Sequence, residues 1–175
     1  EAIYSRFHVT ALELSDIERG VAYKLTELMP INSSFEDYSC DSDSLDVINL
    51  SQILEHVVDI NLCASKAHRC LKKGVVLAIA LPTFNSFLRY LLGEADPYIC
   101  PPVHLNFFNN KNLIKLLDRH GFDIEHVEFV SRIPDEALLK RIPKFLLFTL
   151  PVIKIAIATI FKIFDILHIG IMINI

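Results

Sequence analysis

The 175-residue chain has no tryptophan, only two methionines and only five glycines, the first of them Gly20. With so little glycine there is no G-x-G-x-x-G run to bind a dinucleotide, which removes the usual support for a nicotinamide-dependent oxidoreductase. None of the four cysteines (Cys40, Cys63, Cys70, Cys100) stands in a C-x-x-C pair. That spacing argues against a structural zinc site and against a dense disulfide framework, and makes a reducing compartment, the cytoplasm, the simplest setting. Hydrophobic runs are long but broken: nothing reaches the roughly 18 uncharged residues of a membrane span. The chain opens Glu1-Ala2-Ile3 with neither Met nor an apolar h-region. A signal peptide is therefore not expected, and the sequence is expected to begin partway through a longer protein.

What is present suits one globular domain. Hydrophobic residues make up 52% and charged residues 22%, enough apolar side chain for a core without a metal or disulfide staple. The net charge of −4 gives no reason to expect nucleic acid. It hides a division, since residues 1–60 carry a net −9 and residues 61–175 a net +5. Arg132, Lys140, Arg141, Lys144, Lys154 and Lys162 lie in or beside the most apolar stretch. This pairing points toward a lipid or membrane surface, although a solvated rim around a buried helix has the same pattern.

Hydrophobic periodicity predicts alternating elements. Residues 8–14 read as a strand, and Ser15 caps a helix running to about Glu27. Residues 45–50, apolar on both faces, read as a central parallel strand. A helix over 60–71 ends at Lys72-Lys73-Gly74, before the strongest strand of the sequence, 75–81. Residues 84–92 and 110–120 suit helices, residues 122–130 a strand, and residues 170–175 a last strand. Strand and helix in alternation imply right-handed crossovers and an α/β fold with a mostly parallel sheet.

Three blocks carry a resemblance. The run Ser44-Leu45-Asp46-Val47-Ile48-Asn49-Leu50-Ser51-Gln52-Ile53-Leu54-Glu55-His56-Val57 has a "-DVI-" strand followed by "-LEH-". Ala67-His68-Arg69-Cys70-Leu71-Lys72-Lys73-Gly74-Val75-Val76-Leu77 is similar to an "LKPGG-L-I" passage. His104-Leu105-Asn106-Phe107-Phe108, with a helix ending Arg119-His120-Gly121-Phe122, completes the order. Together they resemble class I S-adenosylmethionine-dependent methyltransferases over roughly residues 1–131. The resemblance implies a Rossmann-like sheet with an antiparallel last strand at its end. It implies S-adenosylmethionine as cofactor, and a small or lipid-like molecule as methyl acceptor.

Ligands of such sheets bind beyond the carboxyl ends of the strands. The resemblance gives Glu13 the ribose hydroxyls and Leu14 a place beside them, though an acid there also suits the dipole of the next helix. It sets Ser34 and Phe35 around the adenine, with Glu36 or Asp37 as stand-ins one or two positions on; Phe35 is equally readable as core. Ser51 and Gln52 would face the methionine portion. His104, behind Pro101-Pro102, is the candidate base for a substrate hydroxyl, or alternatively a loop anchor. Some quinone-biosynthesis methyltransferases have "E-x-x-E-H" around a divalent cation; Gln52 replaces the first acid here, so no metal site is expected.

Two features depart from the pattern. The family's glycine-rich loop has no counterpart, which implies either a chain lacking its first strand or a degenerate relative. Residues 132–169 are expected to form a basic, apolar insertion ahead of the last strand, 170–175. On a helix from about Pro151, Lys154, Ala158, Lys162, Asp165 and His168 share a narrow polar face. The segment reads as a lid or subunit contact, or as a peripheral membrane anchor. The rival to an enzyme is thus a non-catalytic module that binds a membrane or a partner through this helix.

Overall fold

The computed structural model describes residues 7–131, except 97 and 99, and residues 150–175, except 169. Residues 1–6, which read from the sequence as the last turn of a helix, and most of the basic stretch, 132–149, lie outside the described residues.

Four strands form one mixed sheet in the order β1-β2-β4-β3. Strand β1 (Leu45–Ser51) pairs in parallel with β2 (Leu71–Pro82), from Val47 opposite Val76 to Ser51 opposite Ala80. Strand β4 (Met172–Asn174) runs antiparallel to both neighbours, with Ile173 between Leu81 of β2 and Phe129 of β3 (Glu128–Val130). The sheet is therefore less parallel than the alternation suggests. The last strand is antiparallel as expected, but it inserts between β2 and β3 instead of closing the sheet's end. Ile173 has no exposed surface in that position.

Local chemistry explains most of the element boundaries. Helix α1 (Asp16–Thr26) starts where the Ser15 hydroxyl accepts the Glu18 N–H, with Asp16 and Glu18 in its positive first turn. Asp59 caps α2 (Ile60–Cys70) by accepting the N–H groups of Asn61 and Leu62. Helix α3 (Phe87–Leu92) is capped by Ser86, and α4 (Asn110–Arg119) by a reciprocal Asn109–Asn112 capping box. Gly74 is not a helix stop. Helix α2 ends at Cys70 and β2 begins at once, with Gly74 at φ +73° where the register against β1 slips. A side chain disfavours that left-handed conformation.

The core lies between one face of the sheet and two helices. Ile48, Leu50, Ile79, Leu81, Phe129 and Ile173 meet Cys63, Ala64, Ala67 and Cys70 of α2, and Leu113, Leu116 and Leu117 of α4. On the other face of β1 and β2, Val47 and Val76 are exposed, and α1 buries no residue. The expected strand over residues 8–14 reduces to one parallel bridge between Leu12 and Ile31. Among the described residues no hydrogen bond joins residues 7–33 to the sheet, so this extended segment has no ladder to lengthen it. The strand expected over 122–130 shortens for the same reason, because only its last three residues find β4.

Helix α5 (Leu150–Ile166) precedes β4. It is anchored through Phe161 and Phe164, whose rings lie 5.3 and 4.2 Å from that of Phe87. Asp165 does not belong to a solvent face with Lys162. Its carboxylate accepts the Ser131 hydroxyl at 2.6 Å and the Ser131 N–H at 3.1 Å, and the same hydroxyl oxygen accepts the Ile171 N–H. A side chain at Gly170 would meet Asp165, Phe129 and Ser131, so glycine lets the chain pass this junction. No helix among the described residues is long and apolar enough to cross a membrane.

Cys40 and Cys70 are joined by a disulfide, Cα to Cα 6.0 Å. One disulfide is not a dense framework, but it sits poorly with the reducing compartment read from the sequence, and a separation of 30 residues with no local motif gives no sign of the pairing. Cys63 and Cys100 are free. Burial, reinforced by the negative charge of Glu36, pushes the Cys63 thiol up to about 12, leaving it a packing residue without nucleophilic character.

Candidate functional site

The end of β1 opens into a tight loop. Gln52 adopts φ +57°, and its N–H donates to the Ala80 carbonyl at 2.7 Å. A non-glycine residue held in this region costs about 1 kcal/mol and is compatible with a loop shaped for use. The Gln52 amide reaches back toward the Ala80 carbonyl (3.4 Å) and the Met172 sulfur (3.9 Å). Ser51 is exposed beside it. Both residues stand at the carboxyl end of the sheet, as expected.

The loop then turns inward. Leu54 and Val57 are buried, and Glu55 between them is 2% exposed. Neither Glu55 carboxylate oxygen has a hydrogen-bond partner. Burial pushes the Glu55 carboxyl above the usual carboxylate range, against the smaller lowering effects of its own backbone N–H dipole and of His56 and His104. The segment is locked to residues 103–106. Leu105 N–H and Asn106 N–H donate to the Glu55 carbonyl at 2.7 and 3.0 Å. The Asn106 side-chain amide donates to the carbonyls of Leu54 (3.1 Å) and Val57 (2.6 Å).

His104 enters this junction from a turn closed by its own N–H to the Cys100 carbonyl. Its Nδ1 lies 2.9 Å from the Tyr98 carbonyl, and the Nδ1 of His56 lies 2.9 Å from the Val103 carbonyl. A carbonyl only accepts, so both imidazoles carry a proton on Nδ1, and in the neutral ring the lone pair is on Nε2. Their rings meet edge to face, 4.8 Å between centroids. The small cavity beside them, about 10 Å³, is lined by Glu55, Thr83, Arg89, Asp96, Tyr98 and His104, among others.

The other expected residues stand apart from this junction. Glu13 lies at the end of the extended segment bridged to Ile31. One of its oxygens accepts the Ser15 N–H at 2.8 Å, at the start of α1, and the other has no hydrogen-bond partner among the described residues. Leu14 is exposed. The Ser34 hydroxyl is engaged by Asp37, donating to its carboxylate at 2.8 Å and accepting its N–H at 3.0 Å. Phe35 packs on the core, with the Lys66 ammonium 5.5 Å from its ring centre. Glu55, His56 and Asn106 were not selected as site residues from the sequence. The first two lay in the "-LEH-" block, whose convergence with His104 is a long-range event.

Residues 2–127 match the family model for a methyltransferase domain. No curated protein matches the sequence. Solved structures are similar in fold. A Thermotoga maritima S-adenosylmethionine-dependent methyltransferase aligns at TM-score 0.57 and 23% identity, over 69% of this chain and 56% of its own. An Archaeoglobus fulgidus S-adenosylmethionine-dependent methyltransferase gives 0.60 and 17%, over 93% and 72%. One from Mesorhizobium loti gives 0.61 and 18%, over 95% and 78%. The chain thus spans little more than half the length of the Thermotoga protein. The mixed sheet, the "-DVI-" strand and the match over most of its length agree: the chain belongs to the methyltransferase-domain family, and S-adenosylmethionine is the cofactor that membership implies.

Proposed function

We propose that this domain binds S-adenosylmethionine and directs methyl transfer to a small or lipid-like acceptor. The observation that carries the reading is Glu13, a carboxylate at the end of its extended segment with one oxygen held by Ser15 and the other without a hydrogen-bond partner among the described residues. A free carboxylate oxygen suits a ribose hydroxyl pair. Phe35 and the polar turn Ser34–Asp37 suit the adenine end, with Asp37 now the better polar partner because it already holds Ser34. Ser51 and Gln52 suit the methionine portion. The bound cofactor supplies a methyl group on a sulfonium, so the protein's part is chiefly alignment. His104 belongs to the acceptor side, its Nε2 lone pair available for the proton of an acceptor hydroxyl. The cytoplasm remains the proposed compartment, and the Cys40–Cys70 bond is the feature that speaks against it.

Calorimetric titration with S-adenosylmethionine tests the reading. The wild-type chain binds, and Glu13→Gln weakens binding on the order of 100-fold, the equivalent of about 3 kcal/mol of lost charge-assisted hydrogen bonding. Glutamine still accepts the Ser15 N–H, so the helix start survives. Failure of the wild type to bind, or equal binding by Glu13→Gln, overturns the assignment.

A second reading rests on α5. Val152, Ile155, Ile163 and Ile166 are exposed on it, and Tyr90 and Leu91 on α3. We propose that this surface meets a lipid interface, with exposed Lys162 toward anionic headgroups. Sedimentation with phosphatidylcholine–phosphatidylserine vesicles should carry the protein down, and Ile155→Glu with Ile163→Glu should release it. Protein left in the supernatant would return the helix to a lid or subunit contact.

A further inference from the structure

From the convergence of Glu55, His56 and His104 we infer a binding site for one divalent first-row transition-metal ion. One ligand atom from each of the three residues lies within 4.8 Å of the other two. Glu55 Oε1 and His56 Nε2 are 4.0 Å apart. Ligands around a shared ion with bonds of about 2.1 Å stand roughly 3–3.5 Å from one another, so the side chains close by about 1 Å on loading.

Three independent features support the assignment. The first is tautomer: both imidazoles donate Nδ1–H to backbone carbonyls, of Val103 and Tyr98. This arrangement is the outer-shell contact that orients a ligating histidine and leaves Nε2 as the donor atom. The second is Glu55, whose two oxygens are buried without a partner. A buried carboxylate lacking hydrogen bonds is costly unless something neutralises it. The third is scale. A cavity of about 10 Å³, lined by Glu55 and His104 though not by His56, has room for one water-sized occupant and not for an organic molecule.

Two imidazoles and one carboxylate favour zinc, cobalt, manganese or iron over magnesium or calcium, which prefer oxygen-only sites. The backbone clamp from Leu105 and Asn106 to the Glu55 carbonyl holds residues 55–56 and 104 in register although 49 positions separate Glu55 from His104. Arg89 and Asp96 also line the cavity, with the guanidinium 3.7 Å from the centre of the Phe84 ring and Asp96 accepting the Tyr98 N–H at 2.9 Å. Three protein ligands leave coordination positions open for an oxygen donor. In the loaded protein the His104 lone pair is spent on the ion, so the base role given to it above belongs to the metal-free state.

The test is direct titration of the metal-stripped chain with Zn²⁺ by calorimetry and with Co²⁺ by visible absorption, with neither cofactor nor acceptor present. Its failure is thereby separate from failure of the methyl-transfer reading. One ion should bind per chain, with Co²⁺ bands free of thiolate charge transfer and unchanged in Cys100→Ser. Glu55→Gln and His104→Asn should each weaken binding at least 100-fold, whereas His126→Ala, outside the cluster, should leave it within twofold. Circular dichroism identifies variants that fail to fold. Should Glu55→Gln do so, His104→Asn and His56→Asn carry the test, because both rings are partly exposed. Absence of binding by the wild type, or binding that persists in His104→Asn, overturns the site.

Discussion

Denatured in the absence of reductant, the chain should titrate as two free thiols, Cys63 and Cys100, and reduction should lower its stability by about 3–4 kcal/mol. The estimate follows from loop closure. A bond across 30 residues removes unfolded-state entropy worth slightly more than the roughly 3 kcal/mol of a 15-residue loop. For a domain of this size the loss corresponds to a fall in Tm of roughly 6–16 °C. The Cys40→Ala/Cys70→Ala double variant should melt with reduced wild type and ignore reductant; four titratable thiols would dismiss the bond. The consequence reaches the cofactor end. The tethered segment also holds α2 through Lys66 Nζ to the Glu36 carbonyl at 2.7 Å, Arg69 to the Cys40 carbonyl at 3.2 Å and Ser44 N–H to the Cys70 carbonyl at 2.9 Å. It begins next to Ser34 and Phe35, so reduction should loosen the proposed adenine turn before it unfolds the sheet.

The elements that composition and periodicity predicted well are those whose burial is decided locally. Asp59 and Asn109 cap helices whose apolar faces repeat every three to four residues, and the apolar run of β2 lies inside the sheet, whereas β1, read as a central strand, is an edge strand among the described residues with Val47 exposed. Pairing partners are decided at long range, and there the reading erred. Residues 8–14 have strand-like composition but only one bridge partner among the described residues. Three residues of β4 carry too little pattern to announce that they divide β2 from β3. The site shows the same division. Ser51 and Gln52 can be placed from the sequence because they follow the end of β1, whereas Glu55 meets His104 only through a contact 49 positions away. Gln52 replaces the first acid of the linear motif, and the inferred site draws its third ligand, His104, from outside that motif.

Replacing Asn106 by alanine should be the most damaging single change at the junction, costing about 2–4 kcal/mol. Its amide donates to two carbonyls, those of Leu54 at 3.1 Å and Val57 at 2.6 Å, which belong to buried residues. Each acceptor stranded away from water costs about 1–3 kcal/mol. Equilibrium urea unfolding should show a lower midpoint with an unchanged slope, the mark of a native-state loss and not of a more compact denatured ensemble. Aspartate preserves the shape but opposes a carboxylate to two carbonyl oxygens, so Asn106→Asp should be no better at neutral pH. The backbone bonds from Leu105 and Asn106 to the Glu55 carbonyl survive either substitution, so the loop should slacken without leaving the protein. Ligand binding should then divide. Cation affinity should fall by 10–100-fold, as for loss of an outer-shell support, while S-adenosylmethionine affinity, whose proposed anchor is Glu13, should change by less than twofold. Equal loss of both would mean that the two ends of the site share one support, and that Asn106 holds the whole cleft in place and not the Glu55–His104 junction alone.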